Sequence, residues 1–109
     1  MKLLTKKLEA RFKQLSCQDE KLNSAIVVAK FFCPWNQWTW YATEYDSEDQ
    51  TFFGYVVGLE SEFGRFSLAE LESITGFGGL KIERDRFWQE KTLREVMDKQ
   101  IEEAHDYGI

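Results

Sequence analysis

The side chains that most often do chemistry in proteins are few in this chain. It has one histidine, His105, and two cysteines, Cys17 and Cys33, with neither a CxxC nor an HxxxH pair. A structural zinc site needs four ligands at characteristic spacing, so we predict no metal site. With no export signal we expect both cysteines to be reduced. Nucleophilic catalysis needs a nucleophile beside a base that a third group orients, and we find no such set. We therefore predict no catalytic residues and no cofactor.

A glycine-rich segment, Gly76-Phe77-Gly78-Gly79, is the second candidate for chemistry. A dinucleotide fingerprint needs a third glycine where this chain has Lys81, and a P-loop needs Gly-Lys-Ser/Thr. Neither pattern is present. We interpret the segment as a loop whose glycines adopt positive φ angles.

Glu44 is the carboxylate with the most distinctive predicted surroundings. Alternation along a strand places it on the same face as Trp38 and Trp40, with Tyr41 on the opposite face. A carboxylate beside indoles is desolvated, and desolvation raises its pKa. This supports one hypothesis, a small enzyme or ligand-binding protein with Glu44 in an aromatic pocket.

Aromatic side chains are concentrated between residues 35 and 55, where eight of them occur. A small domain rarely buries so many, so we expect some to be exposed. Exposed Trp and Tyr beside carboxylates are typical of protein interfaces. The candidate binding residues are Trp38, Tyr41, Glu44, Tyr45, Glu60, Glu62, Arg84 and Asp85.

The charge distribution argues against a nucleic-acid ligand. The net charge is −5, and residues 22–80 contain only two basic side chains against eight acidic ones. Proteins that bind nucleic acid usually carry a basic face. We therefore expect a protein partner and no direct nucleic-acid binding.

The elements that position these residues follow from periodicity and capping signals. Thr5, Ser67 and Thr92 are the predicted N-caps of three helices, and Glu70 and Glu95 complete capping boxes for the last two. The helices are predicted at 6–16, 68–74 and 93–105, the strands at 25–33, 38–45, 51–59 and 63–66, and an edge strand at 81–88. Gln18–Ser24 is predicted to be a loop.

The fold class that this order predicts is α+β. Strands joined by short loops pair antiparallel, which gives a sheet of four to five strands. About three helices pack on one face of it. The length of 109 residues fits a single domain, 1–109.

No stretch approaches the roughly 20 apolar residues of a membrane span, and we find no signal peptide, so we expect a cytoplasmic protein without a membrane partner. The sequence leaves the oligomeric state open.

Several strings along the chain resemble one bacterial family, catalogued as domain of unknown function 2958. They are Met1–Lys6, Lys30-Phe31-Phe32, Trp38-Thr39-Trp40-Tyr41-Ala42-Thr43-Glu44, Phe52-Phe53-Gly54 and Ile82-Glu83-Arg84-Asp85. The resemblance implies a setting on plasmids, conjugative elements or phages. It implies no activity and no catalytic residue.

The leading functional hypothesis is a non-enzymatic protein-interaction module of a mobile genetic element. One specific version is an anti-defence protein that inhibits a restriction or CRISPR complex, since an acidic surface complements a basic nucleic-acid channel. The small enzyme or ligand-binding protein that uses Glu44 is the alternative.

Overall fold

The computed structural model describes residues 1–106, and of 104–106 only the helical backbone. The helices are α1 (Lys6–Leu15), α2 (Leu68–Ser73) and α3 (Leu93–Asp106). The strands are β1 (Ile26–Val27), β2 (Ala29–Phe32), β3 (Thr39–Asp46), β4 (Thr51–Val57), β5 (Ser61–Ser67), β6 (Glu83–Arg84) and β7 (Lys91–Thr92). Short 3₁₀ turns occupy Asp19–Ser24, predicted as a loop, and Phe77–Gly79.

All three predicted N-caps are confirmed. The Thr5 hydroxyl accepts a hydrogen bond from the Leu8 N–H, and Ser67 accepts one from Glu70. Thr92 and Glu95 form the reciprocal capping box, in which each side chain accepts from the backbone N–H of the other residue. Each cap satisfies an N–H that the first helical turn leaves without a partner.

A five-stranded antiparallel sheet, in the order β5-β4-β3-β2-β6, forms the centre of the molecule. The predicted α+β class is therefore confirmed. β1 and β7 pair separately as a two-stranded ribbon. The single strand predicted over 25–33 is divided at Val28, and of the strand predicted over 81–88 only Glu83 and Arg84 pair with β2.

The helices cover both faces of the sheet, and the expectation of one covered face was wrong. On the first face, Phe12 of α1 packs in one core with Trp40 and Phe52. On the second face, Leu93 and Val96 of α3 pack in another core with Tyr55 and Tyr41. Strand alternation explains the division, because β3 and β4 send apolar side chains to both sides.

A β-bulge interrupts β3 at Thr43. Before it Ala42 pairs with Gly54, and after it Glu44 pairs with Phe53 and Tyr45 with Phe52. One extra residue reverses the facing of everything that follows it in the strand. Tyr45 therefore joins the face of Trp40 and Phe52, and Glu44 points to the opposite face.

Candidate functional site

The end of the sheet where β3 begins carries the most exposed apolar side chains of the central fold. Three segments meet there: the β2–β3 turn over 33–38, the β4–β5 turn over 58–60, and the loop over 75–80. We define the loop-end surface by Trp38, Leu59, Glu60, Glu62, Phe77 and Leu80. Leu59 is 95% exposed and Phe77 is 92% exposed.

Two indoles from the β2–β3 turn hold the neighbouring segments in place. A Cβ built on Gly58 would lie 2.5 Å from the Trp38 ring, and one built on Gly76 would lie 2.4 Å from the Trp35 ring. Only glycine permits such close stacking of a ring on the backbone. Leu59 and Phe77, the residues that follow these glycines, are therefore exposed to solvent on segments that the indoles hold in place.

Charges at the loop-end surface are mainly acidic. Glu60 and Glu62 are both exposed beside Leu59. The Lys81 ammonium, at the far side, donates to the Thr75 hydroxyl at 2.8 Å. The surface thus combines exposed apolar residues with carboxylates on one flank, a composition that complements a basic and apolar partner.

The opposite end of the sheet carries a second candidate, a groove of about 1080 Å³ between α1 and the β3–β4 hairpin. We call it the carboxylate groove and define it by Cys17, Asp19, Glu44 and Arg65. The Cys17 Sγ, an Asp19 carboxylate oxygen and a Glu44 carboxylate oxygen all lie within 4.8 Å of one another. Sequence reasoning missed this cluster because the bulge, and not strand alternation, turns Glu44 toward residues 17–19.

Partial burial raises the pKa of the Glu44 carboxyl, and the neighbouring Asp19 carboxylate raises it further. The Arg65 guanidinium acts in the opposite direction and does not cancel these effects. The predicted rise in the pKa of Glu44 is therefore confirmed, but burial in the carboxylate groove and the Asp19 carboxylate cause it, and not the indoles of Trp38 and Trp40.

The Asp19 backbone N–H stabilises the thiolate of Cys17, but the carboxylates of Asp19 and Glu44 and desolvation outweigh it, and the pKa of Cys17 is raised. Such a thiol is a poor nucleophile at neutral pH. As metal ligands the three side chains offer one thiolate and two carboxylates, one short of a structural zinc set. Cys17 is exposed and Cys33 is buried, and both are free.

The eight candidate binding residues do not form one site. Trp38, Glu60 and Glu62 lie together at the loop-end surface, whereas Glu44 and Tyr45 lie at the carboxylate groove. Tyr41 lies on the face that α3 covers. Arg84 and Asp85 lie at the β6 edge, where the Arg84 guanidinium donates to the Lys2 carbonyl at 2.8 Å. The side chain of His105 lies outside the described residues.

Leu59 and Phe77 are the surface residues that sequence reasoning missed. A signal for both is present, since each is a large apolar residue that follows a glycine, Leu59 at the end of a predicted strand and Phe77 in a predicted loop. The glycine loop does adopt the predicted positive φ angles, 72° at Gly78 and 80° at Gly79. None of the helices in residues 1–106 is long and apolar enough to cross a membrane.

A family model matches most of this chain. The family described as "Protein of unknown function (DUF2958)" matches residues 3–108, nearly the whole chain. Searches of the curated proteins and of the solved structures found no significant match. The match over 3–108 confirms the resemblance seen in the sequence: the chain belongs to the DUF2958 family of proteins of unknown function.

Proposed function

We propose that this protein is a non-enzymatic protein-interaction module and that its partner docks on the loop-end surface. The observation that carries the proposal is the exposure of Leu59 and Phe77 on segments that the indoles of Trp38 and Trp35 brace. An exposed apolar patch with polar residues around it marks an interaction site, and aromatic side chains such as that of Phe77 are enriched at the centre of interfaces. A braced loop also loses less conformational entropy when a partner binds.

The partner that fits this surface is a protein with an apolar patch and basic side chains beside it. Glu60 and Glu62 follow Leu59 in the chain, are exposed, and would attract those basic side chains. Proteins that handle nucleic acids carry such basic surfaces. An anti-defence protein of a mobile element, which occupies the basic surface of a host restriction or CRISPR complex, is therefore the specific version that we propose.

The experiment compares two phenylalanines that are exposed to a similar extent. Phe77 is 92% exposed at the loop-end surface, and Phe87 is 86% exposed beyond β6. Tagged wild-type protein, Phe77→Ser and Phe87→Ser are used to purify complexes from the natural host, and the stoichiometric partner is then tested as a purified protein. We expect Phe77→Ser to lose the partner and Phe87→Ser to retain it.

Two further results would contradict the proposal. One is equal binding of the purified partner by Phe77→Ser and wild type. The other is a concentration-dependent dimer that Leu59→Ser abolishes in sedimentation, because the surface would then bind a second copy of this chain.

Charge reversal of Glu60 and Glu62 to lysine should slow association with the partner, most of all at low salt, whereas reversal of Glu48 and Asp49, in the β3–β4 hairpin, should not.

The carboxylate groove supports a second candidate, a small enzyme or ligand-binding protein. The observation in its favour is the raised pKa of Glu44 beside Asp19, in a groove that Tyr45 and Phe53 also line. A carboxyl with a raised pKa is suited to general acid–base work. If Glu44→Gln abolishes the biological activity of the protein while Phe77→Ser leaves it intact, this candidate replaces the interaction module.

A further inference from the structure

A second cavity lies between the second face of the sheet and α3, away from the carboxylate groove. Its volume is about 560 Å³, within the range of about 300–1,000 Å³ typical of small-molecule sites. We call it the lysine groove and define it by Lys30, Thr39, Tyr41, Trp88, Lys91 and Lys99. No residue of it except Tyr41 was a candidate in the sequence.

Two ammonium groups of the lysine groove lie against aromatic rings. The Lys30 Nζ lies 5.9 Å from the ring centroids of both Tyr41 and Trp88, and the Lys91 Nζ lies 4.7 Å from that of Trp88. Such cation–π contacts hold an ammonium in position. The Trp88 indole is itself fixed, because its Nε1 donates to the Val27 carbonyl at 2.9 Å. The groove therefore presents its cations in a defined arrangement.

The lysines of the groove have no salt-bridge partner among residues 1–103. The one salt bridge among residues 1–103 joins Arg11 and Glu90, so no carboxylate there lies within 4.0 Å of Lys30, Lys91 or Lys99. Glu103 is the acidic residue that lines the groove. Three lysines and one glutamate give the lining a formal charge of +2 in a chain whose net charge is −5. Lys30 and Lys91 are half-buried, and Lys99 is exposed. An anionic occupant would stabilise the half-buried positive charge of the first two.

Polar groups that could orient such an occupant are also present. The Tyr41 hydroxyl has no hydrogen-bond partner among the side chains described, and burial, followed by the charge of Glu103, raises the pKa of this phenol. The hydroxyl is therefore a donor at neutral pH. Gln100, by contrast, is engaged, because it accepts from the Tyr55 hydroxyl and donates to Ser61, both at 3.0 Å.

We propose that the lysine groove binds a small molecule that carries a phosphate monoester. A phosphate monoester carries a charge of about −1.5 to −2 at pH 7 and has three strong acceptor oxygens. It matches the +2 lining, the ammonium groups of Lys30 and Lys91, and the Tyr41 donor. A single carboxylate supplies half that charge and fewer acceptors. None of the residues that define the loop-end surface lines the lysine groove, although Gly58, which precedes Leu59, does.

The test uses calorimetric titration of the wild-type protein with AMP, ribose 5-phosphate, adenosine and a ten-residue oligothymidylate. We expect AMP and ribose 5-phosphate to bind and adenosine to fail. Equal binding of AMP and adenosine would overturn the proposal, and so would the absence of binding by both phosphate monoesters at about 10 mM, the scale of weak ligand affinities. Tighter binding of the oligonucleotide than of either phosphate monoester would assign the groove to a nucleic-acid backbone and would also overturn it.

Substitutions in the lysine groove test whether the phosphate monoester binds there. Lys30→Gln and Lys91→Gln should each weaken the binding of the phosphate monoester about tenfold, the effect of losing one charge-assisted hydrogen bond. Tyr41→Phe keeps the packed ring and should weaken it several-fold, which tests the groove even if a lysine variant fails to fold. Lys13→Gln, exposed on α1, is the matched control and should bind like wild type. Wild-type affinity in Lys91→Gln and Tyr41→Phe would show that the ligand binds elsewhere.

Discussion

The side-chain nitrogen Nε2 of Gln18 donates to the carbonyl oxygen of Thr43 at 2.6 Å, at the residue where β3 bulges. The same amide donates to the Ile26 carbonyl at 3.0 Å and accepts from the Ile26 N–H at 2.7 Å. Gln18 is 2% exposed. A buried side chain thus completes the backbone hydrogen bonding that the bulge and the short strand β1 leave open.

Removing this amide should destabilise the protein strongly. Gln18→Ala leaves one buried backbone group, on Thr43, and two partly buried ones, on Ile26, without partners. A buried group left unpaired costs about 1–3 kcal/mol, so we expect a loss of about 3 kcal/mol in the free energy of unfolding. Gln18→Glu keeps the acceptor and loses both donors, so it should also be destabilised. Urea unfolding of both variants measures this, with Gln14→Ala, exposed on α1, as the control. Equal stability of Gln18→Ala and Gln14→Ala would contradict the assigned role.

Residues whose partners are local in sequence could be predicted, and Gln18 shows why others could not. Thr5, Ser67 and Thr92 cap helices through bonds to residues three positions away, and all three were identified. The bonds of Gln18 reach 8 and 25 residues along the chain, and no local pattern marks them.

The β-bulge at Thr43 is the second reason why part of the structure could not be predicted from the sequence. A single extra residue at Thr43 has no compositional signal, yet it separates Glu44 from the face of Trp38 and Trp40. The prediction for Trp40 and Trp38, which precede the bulge, was correct. The prediction for Glu44, which follows it, had the wrong face for that reason alone.

Gly58 should be intolerant of any side chain. A Cβ there would lie 2.5 Å from the Trp38 ring, which must then move off the β4–β5 turn. We expect Gly58→Ala to lower the free energy of unfolding by about 1–3 kcal/mol, as overpacking does. Gly64→Ala, in the edge strand β5, is the matched control because nothing lies within 4 Å of its Cβ. It should be neutral or stabilising by about 0.5–1 kcal/mol. If both variants melt at the same temperature, the Trp38 contact does not brace the turn.

Glu44 should make stability fall as pH rises. Its pKa in the folded state is raised above the ordinary 4.5 by burial and by Asp19. Between these two values the folded state holds more protons than the unfolded state, so the free energy of unfolding decreases as pH rises through that window. Above the raised pKa the penalty is fully present.

Glu44→Gln removes that penalty. The variant should therefore gain stability relative to wild type as pH is raised from 4 to 7, measured by urea unfolding at several pH values. Asp19→Asn removes the neighbouring charge, which lowers the penalty on ionised Glu44. This variant should therefore also gain stability relative to wild type as pH is raised from 4 to 7. Parallel stability–pH curves for wild type and Glu44→Gln would show that the pKa of Glu44 is not raised in the folded state.

Trp40, in β3, and Trp38, in the turn before it, should differ in how much they stabilise the folded state. Trp40 is 7% exposed within the first-face core, and Trp38 is 37% exposed, with the ring centroids 5.9 Å apart. Trp40→Ala should cost about 3–5 kcal/mol, because it leaves a large cavity. Trp38→Ala should cost about 1–2 kcal/mol, since much of its ring is already in water. Thermal or urea unfolding of the two variants measures the difference.

Partner binding should depend more on Trp38 than on Trp40. Trp38 braces the turn that presents Leu59, so Trp38→Ala should weaken partner binding while the protein stays folded. Trp40→Phe, which preserves most of the core volume, should retain both the fold and the partner. If Trp38→Ala unfolds the protein while Trp40→Ala does not, the assignment of faces in β3 is wrong. If Trp38→Ala binds the partner as wild type does, the bracing of the β4–β5 turn does not matter for recognition, and the exposed side chains must act without it.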